Sequence, residues 1–123
     1  KGFKKIYIFN RTKKAILSKQ KTTYTKKYPD ADDYISGADL LINTTPTNPI
    51  TKKQTKLVLK KTVVSDIVYS PKTTRFLSYF PNNKKIYGID MLINQAILSF
   101  EIWFGFRPVV DLSLKKKLDK KTK

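Results

Sequence analysis

Short β-rich runs alternate with helix-forming segments along most of this chain, and that alternation restricts its fold more than any other feature. Residues 4–9 read KKIYIF, a compact strand. Thr12 is placed to cap a helix over about residues 13–19. Residues 22–27 make a weaker, mostly polar strand. Pro29-Asp30 turns the chain, Asp32 and Asp33 suit the first turn of a short helix, and Gly37 ends it. Residues 39–43 (DLLIN) and 62–69 (TVVSDIVY) read as buried strands. Between them Pro46 and Pro49 impose a loop, followed by a short helix within residues 51–59. Pro71 opens a helix to about residue 80. Residues 85–87 form a last strand, a buried helix begins near Ile89, and Pro108 starts a final amphipathic helix. Such an order means an α/β domain with a mainly parallel sheet flanked by helices.

Residues 88–105 add a second constraint. They are almost wholly apolar, with a glycine at each end and Gln95 in the middle. That density calls for burial, and the glutamine suggests a polar group aimed from a packed helix at something specific. The charge-free stretch between Asp90 and Glu101 is too short for a membrane span, and no leader pattern follows Lys1. The expectation is a soluble, cytoplasmic protein lacking its true N-terminus.

The chain has no cysteine and no histidine. Thiolate nucleophiles, Cys/His metal sites and histidine acid–base chemistry are therefore excluded within it. The net charge is +17, a balance that often marks nucleic-acid binding. Of the 26 basic residues, however, only Arg11, Arg75 and Arg107 are arginine. Readers of nucleic acid favour arginine for bidentate contacts. The lysines are scattered, and only the tail from Lys115 is dense. Solvated lysine, in a composition rich in AT-coded residues, is the favoured reading, with a basic nucleic-acid-binding module kept as an alternative.

In open parallel sheets, ligands bind beyond the carboxyl ends of the strands. Four such ends stand out. At the first, Asn10, Arg11 and Thr12, with Lys13 and Lys14 beside them, replace the acidic residue with which an NAD-preferring sheet holds ribose hydroxyls. A cationic fork there suits a 2′-phosphate. The second, Thr44-Thr45-Pro46, combines small hydroxyl residues with a kinked backbone and leaves room for a flat ring or a pyrophosphate. At the third, beyond Asp66 and Ile67, Tyr69 offers a hydroxyl to a polar ligand. The fourth is Gly88, which permits close approach to backbone, with Met91 and Gln95 on one helix face. Each also fits a plain structural role: a capped helix start, an ordinary Thr/Pro loop, a buried aromatic, a glutamine bonded to a loop carbonyl.

Taken in order, these motifs resemble the C-terminal, cofactor-binding part of the shikimate dehydrogenase family. Asn10-Arg11-Thr12, residues 39–47, then Asp66, Tyr69, Pro71 and Thr74, then Gly88, Met91, Leu92, Gln95 and Ala96 follow that family's pattern from residue 4 to about 108. The resemblance implies a Rossmann-like domain over residues 1–107, incomplete at its N-terminus, with residues 108–123 as a C-terminal helix and lysine-rich tail. It implies NADP as cofactor. Asn10, Arg11, Thr12 and Lys14 would hold the adenosine ribose and its 2′-phosphate. Thr44, Thr45 and Pro46 would line the dinucleotide, Ile67 and Gly88 would contact the nicotinamide, and Met91 would pack nearby. Tyr69 and Gln95 would touch the substrate. The implied reaction is reversible hydride transfer between NADPH and 3-dehydroshikimate, giving shikimate, on the route to chorismate and the aromatic amino acids. The implied partners are these small molecules and a second copy of the enzyme, with no metal, nucleic acid or membrane.

Two departures bear on the site. Asn48 stands where the family has glycine, and asparagine tolerates positive φ better than most residues. The segment Lys13-Lys14-Ala15 is one residue shorter than is common in the family. The family's glycine-rich phosphate loop, first strand and substrate domain, with its catalytic lysine–aspartate pair, find no counterpart here. The expectation is therefore part of a longer enzyme, holding no catalytic residue of its own. The absent strand is central in a 3-2-1-4-5-6 sheet, so two strand edges are expected to face water and to make these residues fold poorly alone. A quinate-type enzyme, or one that uses NAD, is the other alternative.

Overall fold

The computed structural model describes residues 3–10 and 23–121. Among the described residues there are five strands: β1 (Ile6–Asn10), β2 (Thr23–Lys27), β3 (Leu40–Asn43), β4 (Val63–Asp66) and β5 (Lys85–Ile86). All pairings are parallel, with β1 against β2 in one sheet and β3-β4-β5 in another. No ladder joins β1 to β3 among the described residues. The helix expected over residues 13–19 lies outside the described residues.

The helices are α1 (Asp32–Ile35), α2 (Lys52–Thr55), α3 (Arg75–Ser78), α4 (Gly88–Phe104) and α5 (Leu112–Lys121). A 3-10 turn over Tyr28–Ala31 leads into α1. Ser36, not Gly37, closes α1, in a right-handed conformation. Gly105 alone among the described residues adopts positive φ, at 74°, where its N–H bonds the Glu101 carbonyl and ends α4. Pro71 and Pro108 do not begin helices. The side chains of Thr74 and Asp111 do, by accepting the Leu77 and Leu114 N–H groups that a helix start leaves unpaired. Pro71 instead follows a cis peptide bond.

The core is built from Ala31, Ile35, Ile50, Val64, Phe76, Leu77 and Phe80, with Phe9 and Leu41 packed against it. Register explains which strand face it covers. Leu41 pairs with Val64, and Val64 with Lys85; that row faces the core. The alternate row, Ile42, Ser65 and Ile86, points the other way, and Ile42 is 50% exposed. Parallel strands are normally covered on both faces; here the second face is open at Ile42 and Ile86, while Ser65 between them is buried. At the start of β4, Asn83 donates to the carbonyls of Leu59 and Thr62 at 2.8 and 2.9 Å, pinning the loop before that strand.

The expectation of a buried helix after Ile89 is corrected. Only Gly88 and Ile89 of α4 are buried, while Ile102 is 81% and Trp103 75% exposed. The segment after α4, together with α5, lines an open groove with Leu92, Ala96 and Phe100, and Lys115 pairs with Asp90 at 3.1 Å.

Candidate functional site

The carboxyl ends of β3 and β4 are adjacent, and the loops that leave them flank an open cleft of about 430 Å³. Thr44, Thr45 and Pro46 form one wall, and Ile67, Val68, Tyr69 and Ser70 the other. The strands end on polar residues that are cross-strand partners, Asn43 and Asp66, both almost fully buried. A buried polar group needs partners, and these two find them in each other and in the loops.

The Asn43 amide donates from Nδ2 to Asp66 Oδ2 at 3.2 Å and approaches the carbonyls of Thr45 and Thr47 at 3.1 and 3.2 Å. Its Oδ1 accepts from the Thr45 N–H at 3.0 Å. The Thr45 hydroxyl lies 2.8 Å from Asn43 Oδ1 and 2.7 Å from the Thr47 carbonyl, so its single proton serves its own loop. On the other side, Asp66 Oδ1 accepts the Val68 N–H at 3.0 Å. Asp66 Oδ2 also accepts from the Thr74 hydroxyl at 2.6 Å. No buried side-chain polar atom among the described residues lacks a partner.

Gly88 closes the base of this arrangement. A β-carbon there would stand 2.5 Å from the Val68 carbonyl oxygen and 2.6 Å from that of Ile67. What approaches Gly88 so closely is thus the backbone of the second loop rather than a ligand.

Of the residues singled out from sequence, Thr44, Thr45, Pro46, Ile67 and Tyr69 meet in one cleft, with Gly88 packed behind it. Val68 and Ser70, part of the third strand end but given no role there, join them. Met91 and Gln95 are exposed on α4 and do not line the cleft. Asn10 sits at the end of β1, opposite Lys27. Arg11, Thr12 and Lys14 lie outside the described residues. Asn48 does not use positive φ. Its side chain instead brackets Ile50, donating to the carbonyl at 3.0 Å and accepting the N–H at 3.3 Å. Asn43, Asp66 and Thr74 all stand in the motifs that carry the resemblance, but nothing in the sequence joined them into one buried cluster.

Parallel strands joined by helical crossovers, with a cleft beyond the carboxyl ends of adjacent strands, define a Rossmann-like α/β domain of the dinucleotide-binding type, present in part. Residues 88–112 match the family profile described as "Shikimate 5'-dehydrogenase C-terminal domain". A shikimate dehydrogenase (NADP(+)) of Dictyoglomus turgidum is 43% identical over 117 residues, covering 85% of this chain and 42% of that protein. Its counterpart in Bartonella tribocorum is 36% identical over 129 residues, covering 94% of this chain and 44% of that protein. The crystal structure of shikimate 5-dehydrogenase from Listeria monocytogenes, in complex with shikimate and NAD, shares the fold. Its TM-score is 0.73 at 22% identity, over 95% of this chain and 48% of that one. The chain is similar over most of its length to the C-terminal part of shikimate dehydrogenases, and it spans less than half the length of these relatives.

Proposed function

We propose that this chain is the cofactor-binding part of an NADP-dependent shikimate dehydrogenase, a cytoplasmic enzyme of aromatic amino acid (chorismate) biosynthesis. Its reaction is reversible hydride transfer between NADPH and the ketone of 3-dehydroshikimate, giving shikimate. The single observation that carries this reading is the convergence at the β3/β4 end. Thr44, Thr45, Pro46, Ile67 and Tyr69 come from two separate segments and line one cleft, and Gly88 braces it. The family resemblance assigns the same residues to one dinucleotide and its substrate.

The bound dinucleotide supplies or takes up the hydride; the protein supplies position and exclusion of water. Thr44 and Pro46 line the dinucleotide, and Thr45 shapes the loop through its own internal bonds. Ile67 and Gly88 flank the nicotinamide end, with Met91 nearby on α4. Tyr69, 47% exposed at the cleft rim, meets the substrate together with Gln95. Asn10, Arg11, Thr12 and Lys14 hold the adenosine ribose and its 2′-phosphate, Arg11 by a guanidinium fork. We assign no catalytic acid or base within this chain. We infer domain limits at residue 107, a homodimeric enzyme, and no part for metal, nucleic acid or membrane.

The test is Arg11→Ala in the protein translated from the whole reading frame that contains this chain. Charge-assisted hydrogen bonds are worth about 1.5–3 kcal/mol, so KM for NADP+ is expected to rise at least about tenfold, with KM for NAD+ little changed. An unchanged KM for NADP+ removes Arg11 from the 2′-phosphate.

A further inference from the structure

We propose that Asp66 is a positioning residue of this cleft: its carboxylate ties the Asn43 amide to the end of β4 and holds the Val68 N–H in the turn after it, and so joins both loops around the dinucleotide. The proposal rests on the dinucleotide reading above.

Asp66 is 1% exposed and does not line the cleft. Three donors meet it: the Thr74 hydroxyl, the Asn43 amide and the Val68 N–H. A carboxylate accepts from all of them, whereas an amide in its place presents one donor to a donor. The direction of the Thr74 bond is fixed as well. The Thr74 oxygen already accepts the Leu77 N–H at the start of α3, so its proton is left for Asp66.

The consequence runs into the first loop. Asn43 Nδ2 meets three acceptors, Asp66 Oδ2 and the carbonyls of Thr45 and Thr47, and of these only Asp66 lies outside the first loop, so it ties the amide and its loop to β4. Asn43 Oδ1 then faces the Thr45 N–H and hydroxyl, and that wall of the cleft takes its shape. The opposite orientation would set oxygen against oxygen at Asp66 and NH2 against N–H at Thr45. In the second loop, Asp66 Oδ1 holds Val68, between Ile67 and Tyr69. One buried carboxylate therefore sets the end of β3, the turn after β4 and the cap of α3. Supporting residues of this kind decide whether a site is held closely enough to work.

The test is Asp66→Asn in the protein translated from the whole reading frame, with two readouts. The first is hydrogen exchange at the Thr45 and Val68 amides, which needs no cofactor. The second is the split between KM for NADP+ and kcat. Misplaced binding loops cost up to about a hundredfold. Exchange at both amides is expected to accelerate more than tenfold, and KM to rise about tenfold or more, in protein that still melts cooperatively. Thr74→Ser, which keeps the hydroxyl, is expected to behave as wild type; Thr74→Val is expected to shift both readouts in the same direction as Asp66→Asn. Folded Asp66→Asn with wild-type exchange and wild-type KM would overturn the proposal. If that variant does not fold, Thr74→Val with lowered stability but unchanged exchange and KM overturns it equally. Wild-type protein that never turns over NADP+ sinks the functional reading instead, and the exchange result still decides the positioning role.

Discussion

At the scale of single residues, Gly88 and Asn43 explain why strand ends were readable and their chemistry less so. Thr44, Thr45, Pro46 and Tyr69 could be found from sequence because they lie at the ends of apolar runs, where a parallel sheet presents its ligand side; Ile67 came from the family resemblance. The Asn43–Asp66 bond could not be found, because it depends on a register between residues 23 positions apart. Gly88 could be identified but not interpreted. It is glycine because the backbone of Ile67 and Val68 fills the space where a β-carbon would go. Overpacking against side chains typically costs about 1–3 kcal/mol, and backbone yields less readily. Gly88→Ala is therefore expected to lose more than about 2 kcal/mol in chemical denaturation of the full-length protein. A variant as stable as wild type would mean that the helix shifts freely, and that the second loop is not braced there.

At the scale of elements, the helix starts show what local sequence decides. Thr51 and Gln54 form a reciprocal capping box: the Thr51 hydroxyl accepts the Gln54 N–H, and Gln54 accepts the Thr51 N–H at 3.0 Å. That pattern lies within four residues, and the start of α2 was legible. The starts of α3 and α5 were misplaced onto Pro71 and Pro108. A proline suits a first turn but has no side-chain acceptor, and the caps are Thr74 and Asp111. Thr51→Ala is expected to lower stability by about 1 kcal/mol without changing KM for either substrate, since α2 lies away from the cleft lining. A change in KM would tie α2 to the site. Gln54 also donates to Asp32 at 2.8 Å, so Gln54→Ala loosens the contact between α2 and α1 as well.

At the scale of the whole molecule, alternation of strands and helices was enough to give the fold class, because parallel strands require crossovers. The surroundings of α4 were not legible. An apolar helix pattern states that a face needs covering, not what covers it. Here Trp103, Ile102 and Phe104 are exposed, Ile42 is uncovered on the open sheet face, and β1 and β3 are not bonded to each other. Unpaired strand edges and large apolar patches promote association, and a net charge of +17 opposes it only at low ionic strength. A polypeptide of these 123 residues alone is expected to self-associate on adding salt and to bind NADP+ weakly. Light scattering with a dye-binding assay checks this; a monomer that melts cooperatively at high salt would show that the open faces are tolerated. Among the described residues, no helix is long and apolar enough to cross a membrane.

The most direct measurement is a spectrophotometric assay of the protein translated from the whole reading frame, with shikimate and either NADP+ or NAD+. Growth of the reduced-nicotinamide absorbance with NADP+, at a kcat/KM well above that with NAD+, is the expected result. Folded protein that turns over shikimate with neither cofactor, or only with NAD+, would contradict the assignment of an NADP-dependent shikimate dehydrogenase.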